Sequence, residues 1–470
     1  MKKIIQKLTY LLVGLAAILN SCSSGGDSLP TTDTKTPSNL LITTEIAGAT
    51  TANPGGDGSG TVLFKATATN ATTFQITVEG KTLPMTNGQL SYTFSTAGTN
   101  TFTATVTAFN SGKSVSASTT ITLTIQGGVT AIDITKAMGP GFNLGNTFDN
   151  GANPTSITSI KSIIDIYTAA GMKHVRIPVS WMQSVSGSTL ANTGTGKVDF
   201  NHSRFLELKA AIDYAISKGL YVVINTHHEH WLKDYYDGSA TYNTKFSTLW
   251  SDIATYFKDY SNKLIFDILN EPEGTMGQWG AEAGFSFPQP TSTTALNLTR
   301  QINKVGYDAI RATAGGNATR IIMVEPNGQG NQGMIEEVYP TKADLPGGGT
   351  DKYLVIQVHT YDPWAFCGET GADSAYPGAT SIAAAINKVA VHSTLLGVPI
   401  NYGEFGVGRT SAARNTSVVY EYYRTVKTTT LANNMSFSVW DDRGWFGLIS
   451  SPDKITYSLS TNNIVVEMMK

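Results

Sequence analysis

The sequence is poor in charge, in cysteine and in cofactor motifs. Of its 470 residues only 14% are charged, and 33 Lys and Arg against 35 Asp and Glu leave a net charge of −2. Because there is no basic excess, electrostatic binding of nucleic acid is not expected. The two cysteines are Cys22 and Cys367, and since Cys22 belongs to the N-terminal segment described next, no intramolecular disulfide is expected in the mature protein. The glycines of GPGFNLG, residues 139–145, lack the spacing of a dinucleotide fingerprint, so no cofactor is expected.

Long hydrophobic runs are also lacking. The apolar run at residues 11–19 is too short to span a bilayer, and no later stretch approaches the ~20 apolar residues of a transmembrane helix. This run follows two lysines and ends in LNSC, which resembles a bacterial lipobox, so residues 1–22 are predicted to be a lipoprotein signal peptide with lipid on Cys22. An ordinary signal peptide with an incidental cysteine is the alternative. We expect an outer-membrane lipoprotein, at the cell surface or in the periplasm, that contacts the membrane only through its lipid.

Two changes in composition and residue pattern divide the rest of the chain. Residues 23–38 are rich in Ser, Thr, Pro and Gly, which is typical of a flexible tether. Residues 39–126 contain five short runs with alternating apolar residues, at 61–70, 72–80, 90–98, 99–110 and 116–126, separated by Gly and Asn turns. This pattern predicts a small all-β sandwich that resembles immunoglobulin-like or PKD-like modules. A spacer role is favoured for it, with glycan binding as the alternative.

Strand-like and helix-like segments alternate over residues 130–470. The strand candidates are residues 139–146, 173–180, 220–228, 263–271, 320–327, 353–361, 399–406 and 436–442. Helical apolar periodicity lies between most of them. Eight strands with intervening helices predict an α/β fold, a (β/α)8 TIM barrel.

Polar residues stand at the ends of the predicted strands, where a barrel of this kind carries its active site. They are Asn143, Asn146, Arg176, His227, His228, Asn270, Glu271, His359, Tyr361, Glu404 and Trp440. A carboxylate such as Glu271 at the end of a buried strand is costly unless it is hydrogen-bonded or used. Glu404, three strands further round the ring, is its candidate partner, and glycosidic bond cleavage needs such a pair.

Six short motifs in barrel order carry a resemblance to a known family. They are RIPVSW at 176–181, INTHHEHW at 224–231, NEP at 270–272, VHTYDPW at 358–364, GEFG at 403–406 and VWDD at 439–442, together with GFNLGNTFD at 141–149. The chain from about residue 130 resembles glycoside hydrolase family 5 cellulases, most of all its endo-β-1,4-glucanases and xyloglucanases. The resemblance implies a retaining mechanism with Glu271 as acid/base and Glu404 as nucleophile.

The resemblance also implies supporting roles. Arg176 would hydrogen-bond Glu404 and keep it ionised, Tyr361 would donate to Glu404, His359 would lie near Glu271, and Asn270 would meet the sugar 2-hydroxyl. Substrate binding is predicted for Asn143, Asn146, His227, His228, Trp231, Trp364 and Trp440. About half of the rim aromatics, Trp181, Trp231, Tyr235, Tyr236, Trp279, Trp364 and Trp445, are expected to contact sugar.

Three alternatives stay open at this stage. HHEH at 227–230 suggests a metal-dependent hydrolase, although the HExxH spacing is absent and no metal is expected. A surface glycan-binding protein without activity and a mannan-specific hydrolase on the same fold are the others. The favoured prediction is a monomeric hydrolase of internal β-1,4-glucosidic bonds in a β-glucan. The preferred glucan and the roles of Asp442 and Cys367 are left undecided, although a structural thiol is the default for Cys367.

Overall fold

The computed structural model describes residues 35–51, 54–56, 60–94, 96, 98–125 and 130–470. The predicted signal peptide with Cys22 and tether residues 23–34 lie outside this part of the chain. None of the described helices combines the length and the apolar character needed to cross a membrane. The chain divides into two compact units, Met1–Gly128 and Val129–Lys470.

The first unit is an all-β sandwich. Its strands are β1 (Ser38–Ile46), β2 (Thr61–Thr69), β3 (Thr73–Val78), β4 (Lys81–Met85), β5 (Gln89–Thr93), β6 (Gly98–Asn110) and β7 (Lys113–Ile125). They pair antiparallel in two sheets, ordered β1-β2-β5 and β4-β3-β6-β7. Inward-facing residues of both sheets, such as Phe64 and Val106, share one buried core, as expected for strands with one apolar face.

Two of these strands are absent from the sequence prediction. No residue of β1 is fully buried, so its alternation is weak, and β4 has five residues that include Pro84. Short or shallow strands of this kind give little periodic signal.

The second unit is a closed barrel of eight parallel strands, as the sequence predicted. The strands are β8 (Pro140–Asn143), β9 (His174–Ile177), β10 (Tyr221–Asn225), β11 (Leu264–Asp267), β12 (Ile322–Val324), β13 (Leu354–Thr360), β14 (Ile400–Phe405) and β15 (Ser436–Val439). They follow one another round the ring in chain order, and β15 pairs with β8. All their residues are buried except the first of β8 and of β10. A short antiparallel pair, β16 (Ile449–Ser450) and β17 (Ser458–Leu459), follows.

Helices surround the barrel and connect its strands. They are α1 (Ala131–Met138), α2 (Ile157–Ala169), α3 (Ser203–Ser217), α4 (His230–Lys233), α5 (Ala240–Tyr256), α6 (Thr293–Ala312), α7 (Asn327–Gly330), α8 (Ile335–Val338), α9 (Trp364–Cys367), α10 (Ala379–Leu396), α11 (Ser417–Ala432) and α12 (Ile464–Met469). Several begin at a side-chain N-cap, for example Ser292 before α6 and Thr416 before α11, which satisfies first-turn N–H groups. Short 3₁₀ segments lie at Gly274–Met276, Gly315–Ala318, Gln332–Met334, Lys342–Asp344, Pro346–Gly349, Asp373–Ala375 and Ser411–Arg414.

Helix α1 closes the N-terminal end of the barrel. Its Ala131 N–H donates to the carbonyl of Lys352, just before β13 begins, and Ile134 and Met138 share a core with Val223 of β10. The functional site is therefore to be sought at the opposite end, where the strands end.

Candidate active site

An open cavity of about 840 Å³ lies at the C-terminal ends of the barrel strands. It is lined by His227, His228, Glu271, Trp279, Gly280, Gly328, Gln329, Asn331, His359, Tyr361, Asp362, Trp364, Glu404, Trp440 and Phe446. Six strands or the loops that follow them, from β10 to β15, contribute these residues. Both predicted carboxylates are among them.

The two carboxylates are close neighbours, with an imidazole between them. Glu404 lies in β14, whereas Glu271 follows the end of β11 by four residues. Nδ1 of His359 is 2.9 Å from Oε1 of Glu271 and 3.8 Å from Oε2 of Glu404. An oxygen of each carboxylate lies within 4.8 Å of one of the other. Retaining glycosidases hold their carboxyl groups about 5–5.5 Å apart and inverting ones about 6.5–9.5 Å, so this spacing favours retention.

Glu404 is nearly buried and accepts hydrogen bonds from two strong donors. Nη1 of Arg176 donates to its Oε1 at 2.7 Å, and the hydroxyl of Tyr361 donates to Oε2 at 3.0 Å. Burial, with the charge of Glu404, raises the pKa of Tyr361 well above its ordinary value, so Tyr361 stays a phenol that donates. One oxygen is thus charge-paired and the other is aimed by a neutral donor, which suits a nucleophile.

Glu271 has the opposite electrostatic character. Burial, reinforced by the charge of Glu273, raises its pKa to about 7, while Lys233 and Arg176 oppose the rise. Lys233 is itself buried and paired with Glu273 at 3.1 Å. Two carboxyl groups whose environments differ in this way are suited to divide the tasks of acid and nucleophile, and the raised pKa suits Glu271 to the acid task.

Arg176 lies at the base of the site and contacts several of its polar side chains, one of which is Asn143. Oδ1 of Asn143 accepts from Nη1 of Arg176 at 3.0 Å, and its Nδ2 donates to the carbonyls of Gly403, Ser438 and Val439. Asn143 is fully buried, so the prediction that it binds substrate is wrong, because its amide is used up inside the protein. It orients Arg176 instead.

Asn270 is held by the same guanidinium. Its Oδ1 accepts from Nη2 of Arg176 at 2.5 Å. No hydrogen bond within the described part of the chain engages its Nδ2, which leaves that amide able to donate to a sugar hydroxyl.

The histidine pair on the loop after β10 is fixed by hydrogen bonds. Asn225 accepts the N–H of Val179 through Oδ1, so its Nδ2 donates to Nδ1 of His227, at 3.1 Å. His227 therefore carries its proton on Nε2, and burial lowers its pKa well below the ordinary value. Nε2 of His228 lies 3.6 Å from Oδ2 of Asp149.

Trp440 forms an aromatic wall of the cavity. Its ring is parallel to that of His227, with centroids 6.0 Å apart. Gly145 is required beside it, since a Cβ there would come within 2.9 Å of the indole. A flat aromatic face in this position suits a pyranose ring.

Two other residues predicted to contact sugar lie outside the lining of the cavity. Trp231 does not line the cavity: it is half-buried, donates to Glu229 at 2.6 Å and packs against Tyr242. Asn146 is also absent from the lining, and its side chain accepts from Asn150 at 2.8 Å in the β8–α2 loop.

The structure gives little support to a metal at the histidine cluster. Asp149, His227 and His228 come together closely enough to be considered, as do Glu271, His359 and Glu404. A metal needs an unprotonated ring nitrogen, and the Asn225 contact places the proton of His227 on Nε2. Glu229, the carboxylate of HHEH, is engaged elsewhere, because its Oε1 accepts the N–H of Trp181 at 2.6 Å.

The cavity also contains residues that were not predicted to bind substrate. They are Gly280, Gly328, Gln329, Asn331, Asp362 and Phe446, with Trp279, which had been named only among the rim aromatics. Trp279 and Trp364 are 44% and 58% exposed, whereas Trp181 and Tyr236, also named among the rim aromatics, are core residues. Tryptophan in a predicted strand-to-helix loop was a usable sequence signal for Trp279 and Trp364, although it also selected Trp445, which does not line the cavity; glycines and amides gave no signal.

The two residues left undecided have structural surroundings. Oδ1 of Asp442 accepts the N–H groups of Gly444 and Phe446, at 2.7 and 3.0 Å, and so shapes the loop that presents Phe446 to the cavity. Cys367 is fully buried, and burial raises its pKa to about 12. It is therefore an unreactive thiol.

The barrel unit is similar to known proteins. Residues 136–443 match the family model "Cellulase (glycosyl hydrolase family 5)". Endoglucanase A of Clostridium longisporum is 29% identical over 317 residues, 63% of this chain, and the match covers 56% of that relative's length. The chain thus spans little more than half of that relative.

Two solved structures share the barrel. A GH5-4 broad-specificity endoglucanase from Clostridium acetobutylicum superposes with a TM-score of 0.59 at 23% identity, covering 73% of this chain and 99% of the other. A family 5 xyloglucanase from Paenibacillus pabuli gives the same TM-score and identity over 72% and 99%. At this identity the likeness concerns the fold. Together with the family match over most of the chain, the observations show that the protein belongs to the cellulase family, glycosyl hydrolase family 5.

Proposed function

We propose that the protein is a retaining, endo-acting glycoside hydrolase that cleaves internal β-1,4-glucosidic bonds in plant glucans. The observation that carries this proposal is the Glu271–Glu404 pair, with oxygens within 4.8 Å of one another in an open cavity. The family match supports the reaction class, and the endoglucanases and the xyloglucanase among its relatives support a β-glucan substrate.

The first half of the reaction forms a covalent glycosyl-enzyme. Glu404, oriented by Arg176 and Tyr361, attacks the anomeric carbon, while Glu271 gives its proton to the departing glycosidic oxygen. A pKa of about 7 lets Glu271 carry that proton near neutral pH. The free Nδ2 of Asn270 is placed to donate to the 2-hydroxyl of the sugar, where hydrogen bonds strengthen in the transition state.

The second half releases the sugar with its original anomeric configuration. Glu271, now ionised, takes a proton from water, which attacks the anomeric carbon and frees Glu404. His359 stays hydrogen-bonded to Glu271 at 2.9 Å and steadies it in both steps.

The shape of the cavity supports action on a polymer. It is open to solvent, and two exposed tryptophans, Trp279 and Trp364, stand among its lining residues. Exposed aromatic faces can stack on successive sugar rings of a chain that extends past the catalytic pair. We propose cellulose-type glucan, mixed-linkage β-glucan or xyloglucan as substrates.

A direct test is reducing-sugar release by residues 23–470 from carboxymethylcellulose, mixed-linkage β-glucan, xyloglucan and mannan. Wild type should cleave the glucans, and Glu404→Gln should lose on the order of 10⁴-fold or more with an unchanged circular dichroism spectrum. Cleavage of mannan alone would mean that the substrate is mannan and not a β-glucan. Binding without cleavage would mean that the protein is a glycan-binding protein without activity.

We further propose that the protein is a monomer anchored in the outer membrane through a lipid on Cys22. The N-terminal sequence pattern alone supports the anchor. In a bacterial host, the full chain should fractionate with membranes, and Cys22→Ser should not. Equal distribution of the two forms would contradict lipidation.

A further inference from the structure

Glu325 is a buried carboxylate that contacts the acid/base from below the cavity. It follows directly after β12, is fully buried and does not line the cavity. Its Oε2 accepts the main-chain N–H of Glu271 at 2.9 Å, and its Oε1 accepts from Nε2 of Gln357 at 2.6 Å. The reaction derived above assigns no task to it.

The main-chain hydrogen bond matters because Glu271 has a strained backbone. Its φ is +47°, in the left-handed region, which is unfavourable for a residue other than glycine. Such a conformation persists only where neighbouring groups hold it. By holding that N–H, Glu325 helps to fix the direction in which the Glu271 side chain leaves the loop.

The imidazole of His359 lies between the two carboxyl groups. Its Nδ1 is 2.9 Å from Oε1 of Glu271, and its Nε2 is 3.7 Å from Oε1 of Glu325. The Nε2 atom is buried and has no hydrogen-bond partner within the described residues. Burial lowers the pKa of His359 to about 4, so the ring is neutral and carries one proton.

Charge balance indicates that one carboxyl group beneath the cavity is protonated. Arg176 is the cation that faces Glu404 at 2.7 Å, Asp267 at 3.4 Å and Glu325 at 3.6 Å. Three buried anions around one guanidinium would leave negative charge without compensation. Burial, with repulsion from Asp267, raises the pKa of Glu325 well above its ordinary value.

The position of the proton follows from the available acceptors. A proton on Oε1 of Glu325 would face the unpartnered Nε2 of His359, whereas Oδ1 of Asp267 has no partner in the described structure. With Nε2 as acceptor, the ring proton must lie on Nδ1 and point to Oε1 of Glu271. The transferable proton of Glu271 is then confined to its other oxygen, Oε2.

We propose that Glu325 is a positioning residue that works in its protonated form. Its Oε1–H keeps His359 in the Nδ1–H tautomer, and its Oε2 holds the main chain of Glu271. Glu325 itself transfers no proton: the catalytic proton leaves Oε2 of Glu271 for the departing oxygen and returns from water. The inference rests on the proposed role of Glu271 as acid/base.

The kinetic test compares two substrates that differ in their need for an acid. Glu325→Leu should lower kcat on mixed-linkage β-glucan by on the order of 100-fold, and on dinitrophenyl cellobioside by less than ~10-fold, with little change in KM. Glu325→Gln can still accept from the N–H of Glu271 and donate to His359, but its amide nitrogen would then face the donor Nε2 of Gln357, so it should recover part of the loss. The matched control is Glu229→Leu, which removes another fully buried carboxylate that holds main-chain N–H groups but does not contact Glu271.

A spectroscopic test does not depend on activity. In wild type labelled with ¹⁵N-histidine, His359 should show the Nδ1–H tautomer, and Glu325→Leu should shift it toward Nε2–H. An Nε2–H tautomer of His359 in wild type would overturn the proposal. So would a loss of kcat in Glu325→Leu that is the same on both substrates and no different from the loss in Glu229→Leu. If wild type cleaves neither substrate while the tautomer is as predicted, the proposed function fails and the positioning contact stands.

Discussion

The sandwich and the barrel differ in the polar side chains that they bury. Among the described residues of the sandwich, Asn110 is the one buried polar side chain, and hydroxyls pair across β6 and β7 on the outer face. Thr105–Ser118 and Thr107–Ser116 are such pairs, at 2.9 and 2.8 Å, and each is worth about 0.2–1 kcal/mol. The barrel instead buries Arg176, Asp267 and Glu325 completely. Buried ionisable side chains rarely improve stability, so the cluster of these three residues marks where function is built.

Replacing the proposed acid tests whether this end of the barrel carries the function. Glu271→Gln should lower kcat on a natural glucan by about 10³-fold, because the leaving sugar loses its proton donor. It should spare dinitrophenyl cellobioside, whose leaving group needs little protonation. Steady-state kinetics on both substrates check this, and equal losses would argue against an acid role.

A second experiment sets one variant in each region side by side. Arg176→Met leaves carboxylates buried without a partner, and Phe64→Ala opens a cavity in the sandwich core, so each should cost about 3–5 kcal/mol of unfolding free energy. Arg176→Met should also abolish most activity, whereas Phe64→Ala should keep its kcat at a temperature below both melting transitions. Denaturant titration with activity assays measures both quantities. Loss of kcat in Phe64→Ala would break the contrast.

The pH dependence should report the environment of Glu271. The acid must be protonated for the first step, and its pKa is raised to about 7, so kcat/KM should fall as pH rises above 7. Glu273→Gln removes a charge that raises this pKa and should move the fall to lower pH. Asp308→Asn, on the exposed face of α6, is the control that should leave the profile in place. A shift to higher pH in Glu273→Gln would contradict the assignment.

The smallest effect concerns the rim. Trp364→Ala should raise KM for polymer by about 3–10-fold, the loss of one stacking contact, and leave kcat on a short aryl glycoside unchanged. Trp445→Ala is the matched control, because Trp445 is 46% exposed but does not line the cavity. Equal changes in both variants would mean that exposure alone governs binding.

Much of this arrangement could be predicted from the sequence, for identifiable reasons. Eight buried parallel strands leave strong apolar runs, and the residues that follow them converge in any such barrel, so Glu271 and Glu404 could be paired in advance. The direction in which a side chain points could not be predicted in this way. Asn143 ends a strand like its neighbours but turns inward to Arg176, and Trp231 packs on Tyr242. Glu325 lay unnoticed in a predicted strand because its importance comes from contacts with the loop after β11 and with β13.

The most direct test of the account is to trap the glycosyl-enzyme. A 2-deoxy-2-fluoro cellobioside with an activated leaving group should inactivate the protein, since the fluorine slows the release step more than the first. Peptide mass spectrometry should then find one added cellobiosyl unit on the peptide that contains Glu404. A label on another residue, or no label together with products of inverted configuration by NMR, would contradict the assignment of Glu404 as the nucleophile of a retaining hydrolase.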